Sequence, residues 1–123
     1  MIIYCNEQQM KSKTSAYYRS KYRVVRRRVS ETEWAVAMLP RSVTISEAKA
    51  ILATQLLGPL VAVGDRVWQH HPRYLVKGVT GEGLRSAIAA GYINADGTAH
   101  GTARFTVDVP ADKVDQFREV MRE

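Results

Sequence analysis

Between Pro40 and the Gly58-Pro59 pair lies the stretch that most restricts what this chain can become. Ser46 sits where a helix N-cap belongs, SEAKAILATQLL behind it consists of strong helix formers, and a glycine followed by proline stops it. Ala48, Ile51, Leu52, Leu56 and Leu57 fall on one side of this helix, so that side must be buried against something. The flanking runs supply a surface. WAVAML before Pro40 and LVAV after Pro59 are short, apolar and rich in residues that pleated surfaces favour. The pattern predicts an α+β fold, with a mostly antiparallel sheet and two or three helices packed on one face.

The rest of the chain is read against that core. The run IIYC at 2–5 is a short first strand, and 6–15 is polar without periodicity, which reads as a loop. Residues 17–39 admit two readings. One is a β-hairpin, YRVVRRRV and EWAVAML, turned around Ser30, Glu31 and Thr32, with Arg27 and Arg28 facing Glu31 and Glu33. The other is a helix, because Tyr18, Tyr22, Val25 and Val29 form an i, i+4, i+7, i+11 stripe. The hairpin is preferred because valines and tyrosines together are poor helix formers. Further on, strands are expected at 60–63, 66–69 and 73–80, with a turn at Gly64-Asp65. A short helix opened by Thr80-Gly81-Glu82 turns Leu84, Ala87, Ile88 and Gly91 inward. After the turn signal NADG come a strand at 103–109 and an amphipathic helix after Pro110.

A chain of 123 residues fits one domain, 1–123, and 46% hydrophobic residues are enough for a core without a staple. Its single cysteine, Cys5, forms no intramolecular disulfide. The apolar start MIIYC is too short for a signal peptide, and no run approaches the ~18 residues of a membrane helix. The expectation is a cytoplasmic, non-membrane protein.

Charge is the feature that bears on partners. The first thirty residues hold Lys11, Lys13, Arg19, Lys21, Arg23, Arg26, Arg27 and Arg28 against Glu7, which is 8 − 1 = +7. The whole chain is +6, so the remainder is +6 − 7 = −1, and segment 11–28 carries the entire excess. A localised positive field attracts polyanions. Within it, YYRSKYRVVRRR at 17–28 interleaves Arg19, Lys21, Arg23, Arg26, Arg27 and Arg28 with Tyr17, Tyr18 and Tyr22. Guanidinium forks suit phosphate oxygens, and tyrosine rings stack on bases. The plainer reading of the same residues is an edge strand protected from aggregation by its arginines.

Other constellations are weaker. The helix at 82–90 followed by a turn resembles a recognition helix and wing, with Arg85, Ser86, Lys77 and Arg104 nearby, but Glu82 opposes phosphate. Gly78, Gly81 and Gly83 match no phosphate-loop spacing, so a tight strand-to-helix turn accounts for them. His70, His71 and His100 have no metal-ligand spacing, and no base for Cys5 is identified. Three functional readings follow. The first is a non-catalytic nucleic-acid-binding domain, for RNA or DNA, without cofactor or metal. The second is a protein-interaction or inhibitor module of the mobile-element type. It docks its basic face on an acidic partner, or pairs with itself as a homo-oligomer through a sheet edge. The third is a small enzyme with a histidine-containing pocket, the weakest of the three because no catalytic motif is present.

Overall fold

A computed structural model describes residues 2–69 and 74–94. Mixed helices and antiparallel sheets make the fold α+β. The described elements run β1 (Ile2–Cys5), α1 (Glu7–Lys13), α2 (Ala16–Lys21), β2 (Arg23–Arg28), β3 (Trp34–Leu39), α3 (Ile45–Leu57), β4 (Leu60–Val63), β5 (Arg66–Gln69) and α4 (Gly81–Ala89).

β1, β3 and β2 form a three-stranded antiparallel sheet in that order, with β3 in the centre. All of β3 except Trp34 is buried, as an unbroken apolar run in a central strand requires. The register places Ile2, Val25, Ala35, Ala37 and Leu39 on one face. There they join Leu52 and Leu56 of α3, together with Leu60, Val67 and Leu84, in the main core. The opposite face carries Cys5, Val36 and Met38, which close over Met10 of α1, with Tyr18 of α2 packed at the margin. The helices therefore lie on both faces of this sheet. The long ones form a core on one side, and two short ones form a thin cover on the other. β4 and β5 pair separately around Gly64-Asp65, where Gly64 at φ +61° meets the positive-φ demand of a two-residue turn.

Several expectations are corrected. Residues 6–15 contain α1 rather than a loop. Asn6 caps it through a reciprocal box, its side chain accepting from Gln9 N–H at 2.8 Å while Gln9 Oε1 accepts from Asn6 N–H at 3.0 Å. Only Met10 of this helix is buried, which is why it shows no apolar period. The β2–β3 hairpin exists, but its first strand begins at Arg23. Tyr17 and Tyr18 lie on α2, so the two readings of this stretch divide it between them. α3 starts at Ile45, two residues earlier than a cap at Ser46 would place it. Thr44, not Ser46, is the N-cap, in a box with Glu47. The segment 73–80 is no regular strand where it is described. It makes one bridge, Trp68 to Leu75, and then turns at Lys77-Gly78. The strand at 103–109, the helix after Pro110 and the body of the NADG turn lie outside the described residues.

Candidate nucleic-acid interface

α2 is short, lacks a side-chain cap and buries none of its residues. What holds it is a set of bonds made by its own cations and by those around it. Arg19 Nε donates to the Thr14 carbonyl at 2.7 Å. Lys21 Nζ donates to Tyr17 Oη at 2.8 Å and lies 4.5 Å from that ring's centroid. Tyr17 and Tyr18 meet edge to face at 5.1 Å, and Lys13 Nζ reaches Tyr18 Oη at 3.3 Å. From the following loop, Arg41 Nη1 donates to the carbonyls of Arg19 at 3.2 Å and Ser20 at 2.7 Å. Arg23 closes the arrangement by donating to Val43 O at 2.7 Å and Arg41 O at 3.2 Å. Arg19, Lys21, Tyr22, Arg23 and Arg41 are thus gathered about one corner, and Tyr17 and Tyr22 keep 59% and 43% of their surface in solvent.

The acceptors in these bonds are main-chain carbonyls and two phenols. They fix the guanidinium groups without cancelling their charge, and each guanidinium has five N–H donors, of which one or two are used here. Arg41 was not among the residues singled out from the sequence. It is separated from α2 by the whole β2–β3 hairpin, and no local pattern links the two.

The run of arginines on β2 does not form one surface. Pleating sends Arg26 and Arg28 toward the α1 side of the sheet, where their guanidinium carbons lie 5.5 and 5.4 Å from the Trp34 ring centroid. Arg26 Nη1 also approaches Met10 Sδ at 3.1 Å. Arg28 donates to Ser30 O and Glu31 O, at 3.1 and 2.9 Å. Arg27 points to the α3 side and donates to Lys77 O at 2.8 Å, while its Nε is buried without a hydrogen-bond partner among the described residues. The expected pairing of Arg27 and Arg28 with the carboxylates of Glu31 and Glu33 is thus replaced by bonds to carbonyl oxygens. Arg28 stands opposite Trp34 and Arg27 opposite Ala35, so strand register leaves no cross-strand carboxylate for either.

The remaining motifs are structural where they are described. Arg85 Nη2 donates to Gly64 O at 2.6 Å, and Ser86 Oγ donates to Glu47 Oε2 at 2.8 Å, so α4 is tied to its neighbours by the side chains that a recognition helix would present. A Cβ on Gly81 would collide with Gly64 O, and one on Gly83 would lie 2.7 Å from Ser46 O; close backbone approach accounts for both glycines. Cys5 is buried, and desolvation pushes its thiol pKa up although Lys13 pulls the other way. His70, His71 and His100 lie outside the described residues, among which no three His, Cys, Asp or Glu side chains cluster as metal ligands. No helix among them is long and apolar enough to cross a membrane.

Fold and surface together define a class: a small α+β domain with a cationic, tyrosine-bearing corner. No family model matches the chain, and neither a curated protein nor a solved structure does.

Proposed function

We propose that this chain is a non-catalytic binder of single-stranded nucleic acid, engaging the strand at the corner formed by α2, Tyr22, Arg23 and Arg41. The observation that carries the reading is that these cations are anchored by neutral acceptors beside two exposed tyrosines. Their charge stays available to phosphates and the rings to bases. Single strands are favoured over duplex because unstacked bases can reach a ring, whereas α4, the helix suited to a groove, has its polar residues committed elsewhere. RNA and DNA strands share the phosphate and base chemistry used here. A cytoplasmic setting suits a chain whose one cysteine is a buried free thiol.

Fluorescence anisotropy with labelled oligouridine and oligothymidine at rising salt tests the reading. For about four neutralised phosphates, log K should fall against log salt with a slope near −3. Replacing Tyr17 and Tyr22 by alanine should cost roughly 1–3 kcal/mol per stacked base, and phenylalanine should restore it. Absence of binding at low salt, or a complex indifferent to salt, would reject the proposal. Displacement only by an acidic protein would favour the interaction-module reading instead.

A further inference from the structure

β2 is the outer strand of its sheet among the described residues, and a cavity of about 170 Å³ opens beside it, lined by Arg26, Arg27, Lys49, Leu52 and Gly78. Arg27 and Lys49 bring positive charge to it and no lining residue is acidic, while Arg26 lines it from the strand with its guanidinium turned to the Trp34 side of the sheet. The cations come from two different elements, β2 and α3, with the turn at Gly78 completing the wall. Such convergence is costly unless something offsets it, because like charges repel more strongly as water is excluded.

Arg27 makes the case specific. One of its nitrogens is fixed by the Lys77 carbonyl at 2.8 Å, which orients the guanidinium but leaves its charge uncompensated. Its Nε is buried with no hydrogen-bond partner among the described residues, and burial lowers the guanidinium pKa from its ordinary value. Arginine does not give up its proton in proteins, so the group stays a desolvated cation with an idle donor. Gly78, at φ +82°, lets the chain turn beside that guanidinium in a backbone conformation that other residues adopt only with strain. The volume corresponds to about six waters and lies well below the roughly 300–1,000 Å³ of a drug-sized ligand site. It fits a compact anionic group.

We propose that this cavity is a binding site for a phosphoryl group, with Arg27 and Lys49 as its cationic donors. A phosphoryl dianion matches two cations in charge better than a carboxylate, and its oxygens accept from several directions at once. The site belongs to the β2–α3 side, and it does not depend on the nucleic-acid reading of the α2 corner. Its ligand is either free phosphate or the terminal phosphate of a larger molecule.

Titration of the full chain with inorganic phosphate, followed by amide NMR, tests the site. Saturable shifts at Arg27, Gly78 and Lys49 are expected, with Lys49→Gln weakening phosphate about tenfold by removing one charged donor. Lys49 is exposed, so this variant should fold even where Arg27→Gln does not. A Tyr17→Ala, Arg19→Gln variant should bind phosphate unchanged, which separates this site from the α2 corner. Comparing a 5′-phosphorylated with a 5′-hydroxyl dinucleotide then distinguishes the two sources. Preference for the phosphorylated form assigns a terminal phosphate, and equal weak binding beside tight inorganic phosphate assigns the free ion. No saturable shift at millimolar phosphate, or an affinity unchanged by Lys49→Gln, overturns the proposal.

Discussion

The two faces of the β1–β3–β2 sheet solve the same burial problem with different means. On the α3 side a helix buried almost all round presses Ile51, Leu52 and Leu56 onto Val25, Ala37 and Leu39, and β4, β5 and α4 complete the wall. On the α1 side, three buried sheet residues are covered by two helices that bury one side chain between them. The first face is held by area removed from water, the second by short-range bonds and cation–ring contacts around a small apolar patch. The difference teaches why charge concentrates where it does. Only a cover that buries little has positions to spare for cations and exposed tyrosines, whereas the α3 side admits Arg27 and Glu47 at the cost of specific partners.

Core truncation should separate the faces most strongly. Leu56→Ala is expected to lower unfolding free energy by about 2–5 kcal/mol, and Met10→Ala to fall at the low end of that range because the thin cover can settle into the gap. Chemical denaturation measures both, and equal losses would erase the contrast. Next in size is Gly81→Ala, whose Cβ meets the Gly64 carbonyl. A cost of roughly 1–3 kcal/mol is expected, against only a few tenths for a substitution on exposed α2 such as Ser20→Ala. The helix caps give a finer comparison. Thr44→Ala should cost about 1 kcal/mol of global stability. Asn6→Ala should instead fray α1 locally, visible as faster amide exchange at residues 7–10 with a nearly unchanged global midpoint.

The smallest effect is a pH dependence confined to the α3 side. Burial pushes the Glu47 carboxyl pKa up, but hydrogen bonds from Thr44 and Ser86 outweigh it and leave it below the ordinary 4.5. A depressed folded-state pKa means that this stabilisation is present in full above the unfolded value and is lost as pH falls through the folded one. Stability of the natural chain should therefore decline below about pH 4.5 more steeply than that of Glu47→Gln. Coincident acid limbs would show that Glu47 does not bind α3 to α4 in this way.

How far the sequence is legible differs between the same two regions. α3, one buried side of it through Ala48, Ile51, Leu52, Leu56 and Leu57, the Gly64-Asp65 turn and α4 were readable, because each shows a local signature: a period, a stop or a cap. The further burial of Ala50, Ala53 and Thr54 was not. The Glu47–Ser86 bond spans 39 residues and left no trace in the pattern. α1 was missed although Asn6 and Gln9 stand at capping-box spacing, since a helix that buries one methionine offers no period to find. At the candidate interface, Tyr17, Arg19, Lys21, Tyr22 and Arg23 were legible as a basic, aromatic stretch. Arg41 and Lys49 were not, because they come from later elements.

Composition and local pattern by themselves determined that this chain builds an α+β core around one long helix and places its positive excess near one end. Tertiary structure alone decided where that charge goes. Strand pleating points alternate side chains to opposite faces, so neighbouring arginines such as Arg26 and Arg27 serve different surfaces. Contact between distant segments then chooses their companions, Arg41 for the α2 corner and Lys49 for the cavity beside β2. A linear sequence records the order of charges but not the side of the sheet on which each one emerges.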